Sequence, residues 1–78
     1  MTPEQARHAI DESLGQVAPD ADTESLAPDA NLRDTLELDS LDFLRFVEEL
    51  SGRTGRRIEE DDYPQLATMA SAIKFLSG

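Results

Sequence analysis

Apolar residues recur along this chain at helical spacing. Ala6, Ile10, Leu14 and Val17 form one stripe, and Phe43, Phe46, Val47 and Leu50 form an i, i+3, i+4, i+7 set. Leu66, Met69, Ala70, Ile73 and Leu76 line a third face. No segment alternates with period two over a useful length, so no sheet is expected. Thr2-Pro3-Glu4-Gln5 carries a capping residue, a first-turn proline and a capping-box glutamine, which start a helix over about residues 3–16, bounded by Gly15 and Pro19. The second helix starts at Asp39 or Ser40 and runs to about Leu50, where Ser51-Gly52 is the expected stop. The last helix is capped by Thr68 or begins slightly earlier, and Glu59–Tyr63 makes about one helical turn before Pro64. The expected fold class is all-α: a four-helix bundle of three main helices and one short helix, in a single domain over 1–78.

Between the first two helices, residues 18–38 hold Pro19, Asp20, Asp22, Pro28, Asp29 and Asn31, which is turn chemistry. A loop this long needs fastening. Leu26, Leu32, Leu36 and Leu38 supply it, and Asn31 or Asp34 can cap a short turn within it. Residues 51–57 form a basic connection with two glycines, and Ile58 is an anchor after it. A phosphate-cradling loop follows a strand, and here a helix precedes. Met69 and Phe75 read as core residues.

The second helix has two faces. Leu41 and Leu44 fall roughly opposite the core set, beside Glu48. Scattered surface leucines are ordinary. A leucine pair rimmed by Asp42, Glu48 and Glu49 is also a contact patch for protein partners. The residue at the head of this helix is Ser40, where free backbone N–H groups and the helix dipole favour negative charge. A hydroxyl esterified to a phosphate suits that position. Capping of the helix by Asp39 or Ser40 is by itself an adequate account of the same residues.

Composition removes rivals. At 78 residues the chain buries only about 60% of its unfolded surface, and 38% hydrophobic content makes one modest core. There is no cysteine, which fits a reducing compartment. No apolar run is long enough for a membrane span, and the N-terminus has no export signal, so a cytoplasmic protein is expected. The net charge of −10, from 17 acidic and 7 basic side chains, repels nucleic acid and selects basic protein surfaces. Nucleophilic catalysis needs a base beside the serine. The single histidine, His8, falls on the polar side of the first helix, and Gly-x-Ser-x-Gly is absent. Metal catalysis lacks ligands, and the Glu59–Asp62 carboxylates read as a solvated run. The chain is not expected to be an enzyme; no catalytic or metal-binding residue is assigned.

The stretch Leu36-Glu37-Leu38-Asp39-Ser40-Leu41-Asp42 resembles the signature of acyl carrier proteins. The likeness extends over essentially the whole chain: length, first helix, leucine-pinned loop, Asp-Ser-Leu-Asp helix start and the Ile58–acidic turn–helix ending. It implies a four-helix bundle in which Ser40 receives 4′-phosphopantetheine from coenzyme A, transferred by a separate phosphopantetheinyl transferase. The arm's thiol then carries acyl groups as thioesters for fatty-acid, polyketide or specialised lipid biosynthetic enzymes. Asp39, Leu41, Asp42, Leu44, Glu48 and Glu49 would meet basic, shallow-pocketed patches on those partners, with the carrier a monomer. Three departures stand out: Glu37 occupies a position where the family often has glycine, Arg45 interrupts the acidic face, and Arg53, Arg56 and Arg57 make a basic loop. They point to a dedicated carrier for a specialised pathway. Pairing of Arg45 with Asp42 or Glu49 would make that residue unexceptional. The family can shelter acyl chains inside the bundle, and Phe43, Phe46 and Phe75 as core occupants predict poor sheltering of long chains. A D-alanyl or aminoacyl carrier, or an unmodified acidic interaction module, are the alternatives.

Overall fold

In the computed structural model, which describes residues 1–78, the first helix begins where its capping residues place it. α1 spans Pro3–Val17. The Gln5 amide donates to Thr2 Oγ1 at 3.1 Å, and the Thr2 amide donates to Gln5 Oε1 at 2.9 Å. Its buried face is Ala6, Ala9, Ile10, Ser13 and Leu14, so Ala9 and Ser13 fill the stripe between the larger residues. Ser13 is fully buried and its Oγ has no hydrogen-bond partner. His8 is exposed and sits 3.2 Å from Glu12, one turn on.

The segment 18–38 is more ordered than turn residues alone predict. A 3₁₀ turn, Thr23–Ser25, is capped by Asp22. The Ser25 hydroxyl donates to Asp22 Oδ2 at 2.6 Å, and this bond holds the carboxyl below the usual carboxylate range. A short helix α2, Leu32–Thr35, follows the Asn31 cap, whose Oδ1 accepts from the Asp34 amide at 2.9 Å. Leu32 and Leu38 are buried, while Leu26 and Leu36 pack half-buried against the core. Backbone bonds complete the fastening: Leu32 N to Ala67 O at 2.8 Å and Ala70 N to Pro28 O at 2.9 Å, with an isolated antiparallel bridge between Asn31 and Thr68. Arg7 Nη2 reaches across from α1 to the Thr23 carbonyl at 3.0 Å.

α3 spans Ser40–Thr54, longer than the expected end at Leu50. Gly52 lies inside it, and the stop is Gly55, which has φ 67° and whose amide donates to Ser51 O at 2.9 Å. The extra turn is held both from α1 and within the helix. Arg53 pairs with Glu12 of α1 at 3.4 Å and with Glu49 at 3.7 Å, and Thr54 Oγ1 donates to Leu50 O at 2.8 Å. Part of the expected basic loop is therefore helix. The acidic turn is also longer than expected: a 3₁₀ helix, Glu60–Leu66, runs through Pro64. α4, Met69–Ser77, starts at the Thr68 cap, whose Oγ1 accepts from the Ser71 amide at 3.1 Å. Its buried residues are Met69, Ala72 and Leu76. Ala70, assigned to this face from spacing, is exposed because it lies about 100° around the helix from Met69, off the Met69, Ala72, Leu76 line; Leu66 is buried from the preceding 3₁₀ helix.

α1 packs against both α3 and α4, with the 3₁₀ helix against α4. The core gathers Ile10 and Leu14 from α1, Leu32 from α2, Phe46 and Leu50 from α3, Leu66, and Met69 and Leu76 from α4. This is the expected all-α bundle of three main helices and short connecting ones, without strands. Phe75 lies at the core's margin, half-buried, with the Arg56 guanidinium 4.5 Å from its ring centroid. No helix is long and apolar enough to cross a membrane.

Candidate functional site

Local chemistry sets the head of α3. Asp39 has extended backbone, and its Oδ1 accepts from the Asp42 amide at 2.8 Å, while its carbonyl accepts from Phe43 N at 2.9 Å. Asp39 is thus the cap. Ser40 is the first helical residue, exposed and not engaged in capping. The helix leaves the first-turn amides of Ser40 and Leu41 without intrahelical acceptors. The positive end of a 15-residue helix faces the hydroxyl.

The approach to Asp39 is a helix ending. After α2, Glu37 takes a left-handed conformation with φ 54°, and the Leu38 amide donates to Arg33 O at 2.9 Å. This is the backbone reversal of a Schellman ending, in which glycine is usual at the left-handed position. It sends Leu38 into the core and delivers Asp39-Ser40 to the surface.

Two surfaces meet at Ser40. Along the outer face of α3, Leu41 is 72% exposed and Leu44 41%, with Arg45 and Glu48 exposed between and beyond them. Arg45 forms no ion pair, and Glu49 is half-buried and bound to Arg53. The expected Arg45 pairing is therefore not made, and an unpaired cation stands within the acid-and-leucine face. Of the acidic residues assigned to this face, Glu48 stays free while Glu49 belongs to the α1–α3 ion-pair link.

The other surface is a cleft of about 430 Å³ lined by Asn31, Arg33, Ser40, Phe43, Leu44, Tyr63, Pro64 and Ala67. Tyr63 meets Phe43 edge-on at 5.5 Å, and Phe43 lies 6.0 Å from Phe46. Arg33 lies with its guanidinium 5.3 Å from the Phe43 ring centroid, and its Nη2 reaches Ser40 Oγ at 3.5 Å, the outer limit of a hydrogen bond. The periodic pattern pointed to neither Arg33 nor Tyr63. They come from a short loop helix and a 3₁₀ turn, and only the docking of those segments brings them to Ser40. The Asn31 cap was the one local signal for where Arg33 would stand.

No histidine lines the cleft at the serine; the exposed hydroxyl has a cation, a helix dipole and a largely apolar cleft as neighbours. A negatively charged group esterified there would be favoured by the helix end. The profile of the phosphopantetheine attachment site family matches residues 8–76. The acyl carrier protein of Lactobacillus johnsonii is 31% identical over 55 residues, covering 70% of this chain and 69% of that protein. No solved structure matches the chain.

Proposed function

The chain belongs to the acyl carrier protein family, whose members are non-catalytic bearers of covalent 4′-phosphopantetheine, and we propose that Ser40 is its attachment residue. The observation that carries this is the exposed Ser40 hydroxyl at the first position of α3, left free because Asp39 takes over the cap. Loading forms a bond from Ser40 Oγ to the phosphorus of coenzyme A's pantetheine phosphate. The P–O bond to the adenosine bisphosphate portion breaks, that portion departs, and the hydroxyl proton passes to a base on the phosphopantetheinyl transferase. The group supplies a thiol that holds acyl cargo as a thioester. This chain's residues fit it: Ser40 provides the only link, the helix end favours the diester's charge, and the adjoining cleft offers apolar and amide-binding walls.

The outer face of α3 serves recognition in this reading. Leu41 and Leu44 fill shallow pockets, and Asp39, Asp42 and Glu48 meet basic groups on the transferase and on acyl-processing enzymes. Such contacts are fast and easily released, as a carrier that visits successive cytoplasmic enzymes requires. Glu49 contributes through its pairing with Arg53, and the free Arg45 narrows the partner set to surfaces with a matching acidic group, the mark of a dedicated carrier in fatty-acid, polyketide or specialised lipid synthesis. The test is intact mass after incubation with coenzyme A and a broad-specificity phosphopantetheinyl transferase. The expected result is a gain of one phosphopantetheine, absent in Ser40→Ala. A native protein that gains nothing, or a Ser40→Ala protein that still does, would return the chain to the status of an unmodified acidic interaction module.

A further inference from the structure

We propose that Arg33 is a positioning residue for the arm: its guanidinium binds the phosphodiester formed on Ser40 and directs the arm into the neighbouring cleft. The inference rests on the attachment of the arm at Ser40 and concerns what holds it there.

The guanidinium is already in place. It rests over Phe43 at 5.3 Å and touches Ser40 Oγ at 3.5 Å. Its backbone is tied to the same turn that delivers the serine, through the Leu38 amide on its carbonyl at 2.9 Å. Arg33 has no carboxylate partner in a chain of net charge −10. Arg7 is held by Asp11, Arg53 by Glu12 and Glu49, and Arg57 by Glu59, while Arg56 lies over the Phe75 ring; Arg45 and Lys74 also lack a carboxylate partner, but Arg33 is the cation that reaches Ser40 Oγ. An ester on Oγ sets two non-bridging oxygens, sharing one negative charge, one phosphorus away from the atom that Arg33 touches. The planar fork of a guanidinium matches those oxygens and stays charged at every relevant pH.

The contact also answers an electrostatic difficulty. Asp39 precedes the serine and Asp42 follows within the same turn, so a diester here adds a third negative charge to a small volume. The helix dipole offsets only about half a charge. Arg33 supplies a whole one on the cleft side, away from the outer leucine face. Beyond the guanidinium, Asn31 and Tyr63 place polar groups along the cleft wall, suited to the arm's amides, between the apolar surfaces of Phe43, Leu44 and Pro64.

The experiment loads wild type, Arg33→Gln and Arg33→Lys from coenzyme A with a phosphopantetheinyl transferase and confirms each by mass. The ³¹P chemical shift of the diester and the melting temperature of each apo and holo pair are then measured at low salt and at about 0.5 M NaCl. Arg33 is exposed and outside the core, so all three proteins fold. In wild type the diester resonance is displaced from its position in Arg33→Gln, and loading raises Tm by about 2–4 °C at low salt and less at high salt. Arg33→Gln loses that gain, and Arg33→Lys keeps part of it. Equal ³¹P shifts in wild type and Arg33→Gln overturn the inference whatever the melting data show, while loading itself proceeds. Failure of the wild type to load overturns the attachment at Ser40 and this inference together.

Discussion

Glu37 is the one non-glycine residue of the chain with positive φ, and it stands three residues before the serine. A left-handed L-residue costs roughly 1–2 kcal/mol, and glycine at the same place costs roughly 0.5–1 kcal/mol through unfolded-chain entropy. The difference favours glycine modestly. Glu37→Gly should therefore stabilise the protein by about 0.5 kcal/mol, seen as ~2–4 °C in Tm. Glu37 makes no ion pair that the substitution would remove. An unchanged or lower Tm would mean that its carboxylate stabilises this turn in a way that outweighs the strain. The resemblance had marked Glu37 as a departure from glycine; the backbone now supplies the reason glycine is preferred there. The left-handed turn keeps Leu38 buried and Asp39-Ser40 outward, so this turn and the head of α3 form one unit.

At the scale of elements, the end of α3 separates two glycines that local pattern treats alike. Gly52 is helical with open space where a Cβ would stand, whereas Gly55 has φ 67°. Gly52→Ala should stabilise by about 0.5–1 kcal/mol and Gly55→Ala should destabilise by about 1 kcal/mol, measured by urea unfolding. The opposite ordering would restore a helix end at Gly52. Spacing placed the start of every long helix, because Thr2, Asp39 and Thr68 are local capping signals, and it found the core face Phe43, Phe46, Val47 and Leu50 and the exposed Leu41 and Leu44. It missed what packing decides. The final turn of α3 carries a link to Glu12, 41 residues from Arg53 in sequence. Ser13 is buried by its position on α1, against its polarity. Ser40 was legible because its setting is contiguous; Arg33 and Tyr63 were not, since each reaches the site through a docked loop. Arg45 was legible as an anomaly, but the commitment of Glu49 to Arg53 was not.

The whole molecule decides how it treats cargo. Its interior is occupied: Phe46 is fully buried, Phe43 is 7% exposed, and Phe43 and Tyr63 stand edge to face between the cleft and the core. Phe75, expected as a third aromatic inside, is marginal, so the barrier rests on the Phe43–Phe46–Tyr63 group alone. Dense interiors resist opening, and the room beside Ser40 is an open surface cleft. The two outcomes for an attached acyl chain differ enough to measure. Burial contributes about 0.8 kcal/mol per methylene, and about 1 kcal/mol moves Tm by ~4–8 °C in a domain of this size. A chain drawn into the core would raise Tm by several degrees for each added methylene. A chain confined to the cleft gains a little at its first carbons and nothing after them, because the remainder lies in water or against a partner. Thioesters from butanoyl through octanoyl and dodecanoyl to hexadecanoyl should therefore melt within about 2 °C of one another once the cleft is filled. A continued climb from octanoyl to hexadecanoyl would show that the aromatic group opens and that the bundle, not the partner enzyme, shelters the chain.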